Sequence, residues 1–222
     1  MPYTRRILCL AASRKHNGHC VAGKDTDTGE WVRPISARPG HEISYFERTY
    51  EGGGLVSVLD VMEVALIQPS PSEFQTENHL NNQAVRWRKL GVGTYADAAA
   101  LLDAEQPLWI NGPSSYNGLH DQVPEDEASE LTDSLRLIRV PTLGLLVHSE
   151  GGVFAPAKRV VRAKFDFAGA TYWLKLTDPL VEYELKQNAD GEYSFENAIM
   201  CVSLGEVFNG NAYKLVASVI LP

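Results

Sequence analysis

Cysteine is scarce in this chain of 222 residues: Cys9, Cys20 and Cys201 are the only three. An odd, sparse set suits a reducing compartment better than a disulfide framework. No run approaches the ~20 apolar residues of a membrane helix. The opening MPYTRRILCLAAS meets Arg14 and Lys15 before a signal-peptide core can form. A cytoplasmic protein without a membrane partner is expected. A Walker loop, a GxGxxG turn, a CxxC pair and an HExxH helix are all missing, so nucleotide hydrolysis and the common zinc sites have no support. No cofactor is expected, and the expected function is non-enzymatic.

Positive charge is also short, at 20 Lys+Arg against 28 Asp+Glu. Phosphate neutralisation by cations supplies most non-specific affinity for nucleic acid, so the deficit argues at first against that ligand. The deficit is local, however. Residues 1–90 carry 11 cations against 10 carboxylates, 91–150 carry 2 against 10, and 151–222 carry 7 against 8. A near-neutral flank still presents a basic face if its cations converge.

With 44% hydrophobic and 22% charged residues, the chain can bury a proper core. Its apolar runs are short and rich in Val, Ile and Leu, as strands are. Ile7 to Ala12 reads as a buried strand ending in a polar loop, Ser13 to His19. Cys20–Gly23 and Trp31–Ile35 read as a hairpin across Asp25–Glu30, and Leu55–Ile67 as a long strand. TYADAAALLDAE, from Thr94 to Glu105, predicts a helix with Thr94 as its N-cap, and the acidic Asp121–Asp133, with Pro124 near its start, is either a short helix or a solvated connector. Five further strands are expected at Leu135–His148, Lys158–Phe167, Thr171–Thr177, Ile199–Leu204 and Tyr213–Leu221. The fold class expected is mostly β, with a first lobe over 1–90, an acidic, partly helical connector over 91–134 and a second lobe over 135–222.

Several strings then carry a resemblance: ILCLAASRKHNGHCVAGKD with GEWVRPIS, TENHLNN with RWRKLG, YWLKLTDP, and CVSLGEVFNGNAYKLVASVI. They resemble the dual OB-containing domain family of bacterial proteins over most of the chain. The resemblance implies two OB-like β-barrel lobes and a role in recognising nucleic acid or a nucleotide. OB barrels also bind sugars and proteins, so fold alone does not choose the ligand.

The sharpest candidate surface is the hairpin Lys158–Thr177. With Gly169 and Ala170 as its loop, Arg162 and Lys164 share a face with Trp173 and Lys175, opposite the apolar Phe165 and Leu174. Cations beside an indole can track a backbone and stack a base, although solvated lysines on a strand are commoner. A second candidate joins Arg14, Lys15 and His16 of the polar loop to Trp31 and Arg33. A third is Arg86-Trp87-Arg88-Lys89, where a core Trp with solvated charges is the commoner outcome.

Weaker constellations complete the inventory. His16, His19 and Cys20, with Cys9 or Cys201, match no usual metal spacing, and Cys20 near His16 is an ordinary small hydrophobe more often than a nucleophile. Asp178 and Glu206 could pair as hydrolytic carboxylates, but both sit where turns and caps use such residues. The partner expected is single-stranded nucleic acid or a nucleotide. The alternative is a partner protein gripped by Trp31, Trp87 or Trp173.

Overall fold

The computed structural model describes residues 1–15, 17–151 and 156–222. The chain divides into two compact units. One comprises residues 1–102 with 131–135, and the other 103–130 with 136–222. Residues 91–134, read from the sequence as a connector, are thus shared out between the two units.

In the first unit, β1 (Tyr3–Lys15), β2 (Gly18–Asp25), β3 (Trp31–Ile35), β4 (Asp60–Pro69) and β5 (Asn78–Asn81) close into a barrel in the order β1-β2-β3-β5-β4-β1, and β6 (Arg88–Val92) extends it beside β4. β3 and β5 run parallel, with Arg33 beside Asn78. Ile7, Val21, Val32, Met62, Val64 and Leu66 fill the interior. Gly23 lets β1 and β2 close, since a Cβ there would stand 2.2 Å from the Leu8 carbonyl oxygen.

In the second unit, after α1 (Tyr95–Ala99) of the first, come β7 (Gln122–Pro124), α2 (Glu125–Ala128), β8 (Leu135–Glu150), β9 (Lys158–Phe167), β10 (Ala170–Leu176), α3 (Pro179–Leu185), β11 (Gly191–Leu204) and β12 (Asn211–Ile220). The ring β8-β9-β10-β12-β11-β8 repeats the order of the first barrel, and β10 and β12 are again its parallel pair. Both barrels have the five-strand Greek-key plan of the OB fold, whose second and third strands form the usual binding surface. No residue-level repeat announces this duplication.

Local chemistry sets the element ends. Thr94 and Asp97 form a reciprocal capping box on α1, which runs only to Ala99; the expected extension to Glu105 is replaced by loop, where the Leu101 carbonyl accepts from the Lys24 ammonium at 2.8 Å. Within the polar string Ser13 to His19, residues up to Lys15 and from Gly18 onward are strand, with Arg14 beside His19 and Lys15 beside Gly18. His19 also exchanges two backbone hydrogen bonds with Ile43, at 2.9 and 2.8 Å, which keeps this end extended.

Candidate nucleic-acid interface

β9 and β10 are the second and third strands of the second barrel, and the leading candidate surface lies on them. Their turn is Ala168-Gly169, at φ 47° and 80°, so the expected loop at Gly169-Ala170 is off by one position. Two consecutive positive φ values give a turn whose twist matches the flanking strands. The correction moves the partners by two residues and keeps every side chain on its face: Trp173 stands opposite Lys164, and Lys175 opposite Arg162. Phe165, Tyr172, Leu174 and Ala163 point into the core.

The backbone of Trp173 bonds in both directions to Leu119, at 3.1 Å each way. Lys164 and Trp173 therefore form a pair without hydrogen bonds to each other, the kind in which side chains stand closest. The Lys164 ammonium lies 5.6 Å from the centre of the Trp173 ring, within cation–π range. Lys164 and Lys175 are exposed and Trp173 half-buried.

Arg162 is different. Its side chain keeps only 8% exposure, its Nε donates to Glu150 at 2.5 Å and its Nη2 to the other Glu150 oxygen at 3.4 Å, and Asp121 lies 3.9 Å from its Nη1. Asp121 in turn accepts from the Ser115 amide at 2.7 Å and hydroxyl at 2.5 Å. Burial alone would raise the Glu150 carboxyl, yet the Arg162 hydrogen bond and charge, with His148 and Lys175, hold it below its usual range. Arg162 is therefore a buried tie, and the sequence expectation that it joins a polyanion surface is corrected.

The second candidate comes apart. Arg33 is buried and paired with Glu77 at 3.0 Å, so it offers nothing to a ligand. Trp31 pairs with Lys24, near the end of β2 remote from Lys15 and Gly18. Six residues of strand, about 20 Å, separate the two ends. Trp31 cannot stack beside Arg14 and Lys15, and His16 lies outside the described residues.

Lys24 and Trp31 nevertheless repeat the pairing seen in the second barrel. A lysine on the second strand again faces a tryptophan on the third, with its ammonium 5.3 Å from the ring centre. Here the lysine is buried and bound to the Leu101 carbonyl, whereas Lys164 faces solvent.

The third candidate is structural. Trp87 is 1% exposed and donates from Nε1 to Asn81 at 2.9 Å, Arg86 lies over the Phe46 ring at 3.5 Å, Arg88 pairs with Glu63 at 3.4 Å, and Lys89 pairs with Asp60. Asp178 caps α3 by accepting from the Leu180 and Val181 amides at 3.0 and 3.3 Å, which occupies one of the proposed carboxylates. Burial raises its pKa while those amides lower it. Among the described residues, no three His, Cys, Asp or Glu side chains are grouped to hold a metal ion, and no helix is long and apolar enough to cross a membrane.

Sequence reasoning passed over Lys214, which is fully buried and donates to the Ile110 carbonyl at 2.7 Å and Asn111 at 3.1 Å. Burial pulls its pKa from 10.5 to about 8, against the attraction of Asp121. Between those pH values the unfolded chain still holds the proton that the folded chain has released, so stability should rise with pH. At ~1.4 kcal/mol per unit the ceiling is roughly 3 kcal/mol. Urea unfolding across that window should show the rise in the unmodified protein and its loss in Lys214→Met; parallel curves would contradict the assignment.

The model of the dual OB-containing domain matches residues 5–219. No curated protein and no solved structure matches the chain. Two barrels with one OB strand order and a family match over nearly the whole length agree, and the chain belongs to the dual OB-containing domain family.

Proposed function

We propose that this protein is a non-enzymatic cytoplasmic binding module that takes a single-stranded nucleic acid, or a nucleotide-like ligand, on the outer face of β9 and β10. The observation that carries the reading is the close pair Lys164 and Trp173, with exposed Lys175 two residues beyond Trp173 on the same face. An indole beside cations is what a strand of any sequence requires: a surface on which a base stacks and ammonium groups for the phosphates. The acidic balance of the whole chain does not set the charge of this face, where Lys164 and Lys175 lie beside Trp173 and the nearby Glu150 is paired with Arg162.

Fluorescence anisotropy of mixed single-stranded DNA and RNA oligomers, at several salt concentrations, tests the reading. Trp173→Ala should cost ~1–3 kcal/mol of binding with the salt dependence unchanged, whereas Lys164→Ala or Lys175→Ala should lower the log–log salt slope by roughly 0.7. Absence of binding by the unmodified protein at low salt would defeat the proposal.

A protein-interaction role is the second reading. It rests on Tyr45 and Phe46, adjacent aromatics that are 68% and 60% exposed on the first unit, since Trp87 is sealed in the core and cannot grip a partner. Aromatic residues of this kind are enriched at interfaces.

A further inference from the structure

The first unit carries a cleft of about 350 Å³ lined by Glu30, Trp31, Thr76, Glu77, His79, Asp133 and Leu135. Its volume falls within the range of small-ligand pockets. The wall is built by the chain returning to this unit after Glu130: the Thr76 hydroxyl donates to the Thr132 carbonyl at 2.6 Å, and the Ser134 hydroxyl donates to Glu77. The return brings Asp133, from the most acidic stretch of the sequence, beside Glu30 and Glu77.

Glu77 is the telling residue. Its side chain is only 6% exposed and Oε1 pairs with Arg33 at 3.0 Å, but Oε2 is buried without any hydrogen-bond donor. A desolvated carboxylate oxygen left without a donor is costly, and a donor brought by a ligand would remove the cost. His79 adds no positive charge near neutral pH: burial first, then Arg5, holds its ring below its ordinary pKa, and it shares a 2.6 Å hydrogen bond with the Tyr3 hydroxyl. Trp31 supplies a flat aromatic wall, with Lys24 over its ring and fixed to the Leu101 carbonyl. The lining carries three carboxylates, Glu30, Glu77 and Asp133, and no lysine or arginine, and the cations around it have partners of their own: Lys24 the Leu101 carbonyl, Arg33 Glu77 and Arg5 Asp25.

We propose that this cleft binds a guanidinium group on an alkyl stem. Planar guanidinium stacks on indole and donates in a fork to carboxylate, the two features that Trp31 and the acidic rim provide. The same chemistry arises from an arginine side chain of a peptide and from a free amine such as agmatine. It is independent of the Trp173 face, which lies in the other unit.

Isothermal titration calorimetry at low salt, with the intact chain, should use agmatine, N-acetyl-arginine-amide and the neutral N-acetyl-citrulline-amide. Agmatine or the arginine amide should bind and the citrulline analogue should not; which of the two cations binds identifies the source. Trp31→Ala should weaken binding about five- to thirtyfold, the cost of one desolvated cation–π contact. Glu30→Gln, at an exposed position, should weaken it with the circular-dichroism spectrum unchanged. Binding of the citrulline analogue as tight as the cations, no binding of either cation, or unchanged affinity in both variants would overturn the proposal. None of these results bears on oligonucleotide binding, which is read with other ligands and other variants.

Discussion

Arg162→Ala is expected to lower the stability of the second unit by about 3–5 kcal/mol, the cost of breaking a buried ion pair from one side. Its removal leaves the Glu150 carboxylate without its two-pronged partner and Asp121 without its nearest cation, both largely out of water. Lys164→Ala and Lys175→Ala, on the same two strands but exposed, should stay within about 0.5 kcal/mol of the unmodified protein. Urea unfolding followed by circular dichroism measures all three. Arg162→Met separates charge from volume, because an apolar stem fills the space while the carboxylates still lose their partner. A loss below about 1 kcal/mol for Arg162→Ala would mean that the residue is available to a ligand after all.

Trp87→Ala is expected to cost the first unit about 3–5 kcal/mol. Trp87 is packed with Ile7, Ile43, Tyr50 and Leu66, so truncation opens a cavity among strands that cannot close on it. It also leaves the Asn81 oxygen without the indole donor at 2.9 Å. Trp87→Phe, which keeps a six-membered ring but loses the donor and part of the ring volume, should recover part of the deficit in the same unfolding experiment. Tyr50 belongs to this core as well, and its hydroxyl donates to Asp60 at 2.8 Å. Burial and that carboxylate raise its pKa, so the first unit should lose stability as pH passes the ordinary tyrosine value, where only the unfolded chain releases the proton.

Most strands of the two barrels were legible because they are short runs rich in Val, Ile and Leu, and alternation reports which side chains share a face; β5 (Asn78–Asn81) was not, because its four residues are polar but for Leu80. The hairpin Lys158–Thr177 shows how far alternation goes. A shift of its turn by one position left every residue on its expected face, since the shift changed the pairing by two residues. Alternation does not report what covers a face. Arg162 and Lys164 are two residues apart on one strand, and only Arg162 is sealed, because Glu150 ends β8 and Asp121 follows the segment that pairs with Trp173. Those partners are remote in sequence. Arg33 shares that history, sealed by Glu77 from the approach to β5. The return of residues 131–135 to the first unit, which forms the acidic cleft, was equally hidden, because an acidic run reads as solvated linker until its neighbours are known.

The chain has four indole N–H groups, at Trp31, Trp87, Trp109 and Trp173, and together they offer the most direct test of where a nucleic acid binds. A proton–nitrogen correlation spectrum of labelled protein, titrated with an unlabelled single-stranded oligomer, reports on all four at once. The account predicts that the Trp173 indole signal shifts or broadens progressively while the buried Trp87 signal holds still, and that Lys164→Ala weakens the response. Movement confined to Trp31 or Trp109, or no movement at all at low salt, would contradict it.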